Sequence, residues 1–382
     1  MQFLHISDTH LGKRQYGQDF REQDLYEVFN QLIEIAIKEH VDAVIHTGDL
    51  FDVNDPPNRA EYEAVKSLKK LKEHSIPFIV IAGDHDSPKR AYSQYPQRLL
   101  EEFDLIKFLY SNNIKYDIGD VHIYGISHVP NLASESLKQR LSSLKPESKK
   151  SMLLLHQGLR EILPYEGAYQ IEIGDLPKDF SYYALGHFHT RRVTKLDGGR
   201  ILEVAGSPDI IREEEIEGYE KYGKGATLID FSKESPEIQK INVEIRKQFV
   251  EEIDTTKLDD EIKRVSTKLQ QFKEPKPILH IILKGISLPR DHLNKKLEYL
   301  KQFASLLRIY KDETKNQQEK DIEIPNDTRI DNLIIEYLIK AEGFTKEEAN
   351  VILNIIKHSE EKEYVREELK KMLGVGNDHK EN

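Results

Sequence analysis

Residues 182–192 read YYALGHFHTRR, and this stretch decides how the first part of the chain must fold. Four apolar residues run into a glycine, and then His187 and His189 follow two positions apart. In extended chain, residues i and i+2 point to the same side, so both imidazoles face one place at the end of a strand. Similar endings occur elsewhere. MQFLHISDTH (1–10) closes on Asp8 and His10, and DAVIHTGD (42–49) closes on Asp49. FIVIAGDHD (78–86) closes on Asp84, His85 and Asp86, and SMLLLHQ (151–157) on His156. Five apolar runs therefore end in Asp or His. Gly48, Gly83 and Gly186 each precede one of these residues, where the lack of a Cβ lets the chain turn sharply.

The runs around these endings have the composition of strands. VHIYGIS (121–127), RILEVAGSP (200–208) and GATLIDF (225–231) join the five, each rich in β-branched or aromatic residues and closed by polar or glycine turns. FREQDLYEVFNQLIEIAIKEH (20–40) and NRAEYEAVKSLKKLKEH (58–74) carry apolar residues at helical spacing. Strand–helix alternation predicts an α/β fold, and the later strands, with little helix between them, predict two sheets with helices outside. In such sheets ligands sit at the carboxyl ends of strands, so the five tips are expected to share one crevice.

Carboxylate oxygen and imidazole nitrogen without thiolate form a ligand set for manganese, iron or zinc, and the chain has no cysteine. Three crowded carboxylates need cations, and two divalent ions, bridged most simply by Asp49, would supply them. Six other histidines, His5, His46, His122, His128, His280 and His358, read as core or surface residues.

The character changes near Lys233. IQKINVEIRK (238–247), PILHIILKGIS (277–287) and LLRIYKDET (306–314) predict three strands, with LDDEIKRVSTKLQQF (258–272) and RDHLNKKLEYLKQF (290–303) as helices between them. This gives a small α+β module over 232–315, after a first domain of 1–231. The polar run KDETKNQQEKDIEIPNDTR (311–329) predicts a linker at 316–328, followed by a helical segment over 329–382. There, Ile330, Leu333, Ile334, Tyr337 and Leu338 form one stripe, and Thr345 with Glu348 has capping-box spacing.

The pattern DTH…GDLFD…GDHD…H…GHFH resembles that of the calcineurin-like metallophosphoesterases. With HISDTHLGKRQYG it is similar, more narrowly, to DNA double-strand-break repair nucleases of the Mre-eleven and SbcD type, in an archaeal form. The resemblance implies a two-sheet metallophosphoesterase sandwich flanked by helices, a capping domain, and C-terminal helices that bind a coiled-coil ABC-type ATPase of the Rad-fifty type. It implies one ion held by Asp8, His10, Asp49 and His189 and another by Asp49, Asp84, His156 and His187, with manganese the expected metal. His85 then matches the catalytic, non-ligating histidine, which stabilises the transition state or protonates the leaving oxygen. Asp86 is expected to orient His85. Asp84 departs from the family pattern, which has Asn there, and adds charge facing the substrate phosphate.

The formal charge of −11 opposes a DNA-coating protein unless metals and local cations reverse it at the site. Lys13 and Arg14, Lys89 and Arg90, and Arg191 and Arg192 follow three of the motifs and are expected to hold flanking DNA phosphates, without base specificity. The expected substrates are DNA ends, hairpins and single strands. The resemblance also implies a homodimer packed through 58–74 and 95–110. The N-terminus has neither a basic region nor a long apolar run, so a cytoplasmic protein is expected, with no membrane segment. Two other readings compete. A metallophosphatase would carry GDxxDRG, but GDLFDVN (48–54) lacks that arginine. A DNA-bridging scaffold with structural metals would have no use for His85.

Overall fold

The computed structural model describes residues 1–90, 92–315, 330–340, 343–358 and 362–372. The chain falls into two compact units, Met1–Thr314 and Lys315–Asn382. The first opens with alternating elements: β1 (Gln2–Ile6), α1 (Asp19–Lys38), β2 (Ala43–Thr47), α2 (Asn58–Glu73), β3 (Phe78–Ile81), α3 (Gln97–Glu102) and β4 (Lys107–Phe108). It continues with β5 (Lys115–Ile118), β6 (Val121–Ile126), α4 (Ser134–Ser143), β7 (Ser151–Leu155), β8 (Tyr182–Leu185), β9 (Arg192–Lys195) and β10 (Ile201–Val204). Then come α5 (Glu215–Tyr222), β11 (Gly225–Asp230) and β12 (Glu237–Asn242).

These strands make two six-stranded sheets, in the orders β12-β11-β1-β2-β3-β4 and β5-β6-β7-β8-β10-β9. The apolar runs are continuous because both faces of each sheet are covered. Along β1 to β3, Phe3, Ala43, Ile45, Ile79 and Ile81 face inward and meet Ile123, Met152, Leu154, Tyr182 and Ala184 of the second sheet. The alternate residues Leu4, Ile6, Val44 and Val80 face outward against Phe29, Leu32 and Ile33 of α1 and Ala64 and Leu68 of α2. On the far side, Leu153, Leu155, Tyr183 and Leu185 pack with Leu137 and Leu141 of α4. The expected sandwich with outer helices is therefore present, and period-2 alternation divides each strand between two cores.

One expectation changes here. The strand read at 238–247 as part of the small module is β12, which pairs antiparallel with β11 at the edge of the first sheet. The module's own sheet is β13 (Gln248–Asp254), β14 (Ile278–Lys284) and β15 (Leu306–Asp312), all parallel, with α6 (Leu258–Leu269) and α7 (Arg290–Leu297) in the crossovers. Residues 237–242 are exposed except for the half-buried Ile238 and Ile241, which suits an edge strand of either sheet. Composition alone could not assign them.

The module is fastened by buried charge. Arg246 donates to both oxygens of Asp24 at 2.7 and 2.8 Å, and Arg21 bridges Asp24 and Asp209 at 2.6 and 3.1 Å. Arg308 of β15 pairs with Glu213.

The second unit holds α8 (Ile330–Lys340), α9 (Lys346–Lys357) and α10 (Lys362–Met372), one helix more than the sequence predicted. Thr345 and Glu348 form the expected reciprocal cap on α9. Along the α8 stripe Leu333, Ile334 and Leu338 are half-buried and Tyr337 is exposed. The predicted linker at 316–328 lies outside the described residues. Among the described residues no helix is long and apolar enough to cross a membrane.

Candidate metal centre

The five tips meet. β1, β2 and β3 are parallel neighbours in the first sheet, and β7 and β8 are parallel neighbours in the second, so their carboxyl ends open on one crevice. The chain leaves these strands abruptly. Asp8, His10, Asp49 and His187 all adopt the left-handed region, with φ of 50°, 44°, 54° and 78°. Residues other than glycine rarely adopt it, and it costs about 1–3 kcal/mol where the surroundings impose it. Of the three glycines expected to turn the chain, only Gly48 has a positive φ, at 96°. Gly83 and Gly186 serve close approach instead. A Cβ on Gly83 would stand 2.0 Å from Asp49 Oδ1, and one on Gly186 would stand 2.1 Å from the Thr47 carbonyl and 2.6 Å from His156 Nδ1.

The polar atoms gather in four overlapping groups among the described residues, and two of them share no member, Asp8 with His10 and His189, and Asp84 with His156 and His187. Asp49 lies between them. Its Oδ2 is 3.7 Å from His10 Nε2 in one group and 3.4 Å from His156 Nε2 in the other. His156 Nε2 and His187 Nδ1 approach Asp84 Oδ1 at 3.1 and 3.0 Å. His10 Nε2 and His189 Nε2 face each other at 3.2 Å.

The outer bonds of these rings show what the centre can hold. His10 donates Nδ1–H to Asp52 at 3.1 Å, and His189 donates Nδ1–H to Glu215 at 2.7 Å. Both Nε2 lone pairs then point at each other, an arrangement that a cation between them satisfies. His156 likewise donates Nδ1–H to the Thr47 carbonyl at 2.7 Å, leaving an Nε2 acceptor aimed at two carboxylates. Asp8, Asp49 and Asp84 have no Lys or Arg ion pair among the described residues; their partners are imidazoles, the Ser7 hydroxyl and the backbone amides of His85 and His187. Burial pushes the Asp49 and Asp84 carboxyls up, but His156, with His10 or His187, holds both well below the usual carboxylate range. Burial pulls His156 down, yet Asp49 and Asp84 raise it well above the ordinary imidazole value. The donor set therefore fits two divalent cations.

His85 stands at the edge of the centre, grouped with His10 and Asp52. Its Nδ1–H donates to the Asp52 carbonyl at 2.8 Å, and its backbone N–H donates to Asp49 Oδ1 at 2.9 Å, which leaves Nε2 free on the cleft side. Asp86 does not orient it, contrary to the sequence reading. The Asp86 carboxylate is fully buried and accepts from the Leu50 and Gly83 backbones at 2.8 and 2.7 Å and from Gln97 at 2.5 Å. It ties two strand-end loops together. Burial and the Asp49 charge push its pKa up to about 7. Sequence reasoning missed Asp52 and Glu215. Asp52 lies in the recognised GDLFD run and could have been weighed. Glu215 is the last of three consecutive glutamates, with nothing local to single it out.

The histidines read as core or surface take those places. His5 is buried between Tyr182 and Thr47, His46 is buried beside Thr9, and His280 is buried against Gln248. His122 pairs with Asp117 and His358 caps its own helix. His128 lies nearer the centre, donating to the His156 carbonyl and stacking on His187 at 6.2 Å.

The expected basic rim is only partly present. Arg191 is buried, donating to Asn242 and to the Ala226 and Ile241 carbonyls, so it cannot reach DNA. Lys13 pairs with Asp52 and Arg14 with Asp19. Lys89, Arg90 and Arg192 are exposed, without an ion pair among the described residues. Arg192 lines a cleft of about 760 Å³ that opens on Asp49, Asp84, His85, His187 and His189.

Residues 1–191 match the family model for the calcineurin-like phosphoesterases. Over the full length the chain is 64% identical to a DNA double-strand break repair protein Mre11 of Sulfurisphaera tokodaii, covering 100% of this chain and 99% of that one. It is 53% identical to the protein of the same name in Sulfolobus acidocaldarius and 50% identical to that of Saccharolobus solfataricus, covering 98% of this chain and 99% of the relative in each case.

Proposed function

This chain belongs to the calcineurin-like phosphoesterase family, among relatives named Mre11, and from that premise we propose that it is a two-metal DNA nuclease of double-strand-break repair. It hydrolyses phosphodiester bonds. The observation that carries the reading is the pair of three-donor groups, Asp8–His10–His189 and Asp84–His156–His187, with Asp49 between them. One ion belongs to Asp8, His10, Asp49 and His189, the other to Asp49, Asp84, His156 and His187, and manganese suits this oxygen and nitrogen set. When bound, such a pair neutralises phosphate charge and lowers the pKa of water toward neutrality.

The chain's own residues do the rest. Asp52, Glu215 and the Thr47 carbonyl fix His10, His189 and His156 as Nδ1–H tautomers, so each ring keeps its Nε2 lone pair for the centre. The Asp52 carbonyl accepts the Nδ1–H of His85 in the same way, and His85 acts on the departing sugar oxygen as hydrogen-bond donor or acid in its imidazolium form, with Nε2 protonated as well. Lys89, Arg90 and Arg192 supply sequence-independent phosphate contacts. We further propose that the 329–382 segment docks on a coiled-coil ATPase, and that two copies pair through α2 and the 95–110 segment, where Tyr62, Leu99 and Phe103 are exposed.

The test is cleavage of labelled duplex, hairpin and single-stranded DNA with manganese, magnesium or chelator. Manganese-dependent cutting that His85→Ala abolishes, with DNA binding retained, supports the reading. Cutting that chelator leaves intact sinks it. Deletion from residue 327 onward should spare single-strand cleavage and lose the ATPase, and light scattering at micromolar concentration should give a dimer.

A further inference from the structure

We propose that Tyr222, Arg192 and Lys240 form a subsite for an unpaired nucleotide beside the scissile phosphate. The inference rests on the nuclease reading above and narrows its substrate to strands whose bases are free. All three residues line the cleft that opens on the metal centre. They come from three elements that meet at its wall: Arg192 opens β9, Tyr222 closes α5 and Lys240 lies on β12.

The wall has the two chemistries that a single strand needs. Tyr222 is 38% exposed, and Lys221 and Lys240 hold their ammonium groups 5.0 and 5.8 Å from its ring centroid. Arg192 and Lys240 are exposed and make no ion pair among the described residues. They are exposed cations in a cleft lining that also carries Arg212, Glu214 and Glu215, within a chain of net charge −11. Adjacent Arg191 shows the contrast, since its guanidinium turns inward and is spent on Asn242 and backbone carbonyls. Ile162, Leu163 and Phe188 line the cleft with apolar surface. A ring beside cations and apolar surface suits a base with its phosphates. Inside a duplex the base faces are stacked on one another and cannot reach such a ring, so away from a terminal base pair Tyr222 can act only on an unpaired base.

Placement sets the distance. Glu215, which holds His189, opens the helix that Tyr222 closes. Seven residues of α-helix separate them by about 10 Å along the axis. At roughly 3.4 Å per stacked nucleotide, that backbone rise corresponds to about three nucleotides between the carboxylate behind His189 and the residue that carries the ring.

The test measures KM for manganese-dependent cleavage of a fluorescein-labelled single-stranded oligonucleotide, beside hydrolysis of bis(p-nitrophenyl) phosphate, which has no flanking nucleotide. Tyr222→Ala should raise KM on the oligonucleotide about tenfold, whereas Tyr222→Phe stays within about twofold. Arg192→Gln with Lys240→Gln should reduce the slope of log affinity against log salt by about 1.4. An unchanged oligonucleotide KM in Tyr222→Ala overturns the subsite. So does an equal loss on the small diester, which would place Tyr222 in support of the metal centre. If the wild-type chain hydrolyses the small diester but no oligonucleotide, the nuclease reading itself fails, a pattern distinct from either.

Discussion

Replacing Glu215 by Gln should separate the two things this carboxylate does. It accepts from His189 Nδ1 at 2.7 Å, and it neutralises the buried Lys224 ammonium at 2.5 Å. Burial pushes the Glu215 carboxyl up, but Lys224 and His189 hold it well below the usual range, so it is charged at neutral pH. Glu215→Gln strands Lys224, whose side chain is 2% exposed, and breaking such a buried pair costs about 3–5 kcal/mol of fold stability. The same change replaces a charged acceptor on His189 by a neutral one. A lost outer partner of a ligating histidine costs about 10–100-fold in metal affinity. The double variant Glu215→Gln/Lys224→Met removes the stranded charge, so it should recover about half or more of the lost stability while metal affinity stays low. Urea unfolding in chelator gives the first quantity, and calorimetric titration with manganese gives the second, where one of two binding events should weaken. If both variants bind two manganese ions within about twofold of the parent, Glu215 does not govern His189 and the outer-partner argument is wrong. If Lys224→Met restores the affinity along with the stability, the loss came from the fold.

Gly83→Ala should abolish binding of at least one ion and lower stability by about 1–3 kcal/mol, because its Cβ would stand 2.0 Å from Asp49 Oδ1; calorimetric titration and thermal unfolding check both. Asp84→Asn removes one negative charge facing the substrate, so it should weaken one manganese site while cleavage persists, seen as a higher metal concentration for half-maximal rate. His280 should make the fold acid-labile. Burial, with help from Arg308, pulls its pKa down to about 4, while Glu213 opposes and Arg21 adds to the shift. The unfolded chain takes up the proton near pH 6.5 and the folded chain only near 4, so stability is full above about 6.5 and falls by up to about 3 kcal/mol as pH drops to 4. His280→Gln should flatten urea midpoints across that window; an unchanged pH profile would assign the acid sensitivity elsewhere.

The sandwich and its converging residues were legible because they rest on short-range rules. A strand buried on both faces must be an apolar run, and a strand that ends at a site must end in the residues that act there. Arg191 was misread because adjacent arginines look alike in sequence. Only the sheet shows that the first is buried against Asn242 and two backbone carbonyls while the second is exposed. Asp86 was misread because adjacency to His85 suggested contact, whereas the turn aims its carboxylate at the Leu50 and Gly83 amides. Glu215 reaches His189 across 26 residues, a pairing that no local period encodes. β12 was given to the wrong sheet because pairing is a property of the partner strand.

The left-handed backbone at Asp8, His10, Asp49 and His187 constrains how this centre can change over time. Aspartate and asparagine tolerate that conformation better than most side chains, and β-branched residues tolerate it worst. Drift at Asp8 or Asp49 toward asparagine would alter the charge and leave the path of the chain intact, whereas valine or isoleucine would disturb both. The crevice can thus be retuned electrically over generations far more readily than it can be reshaped.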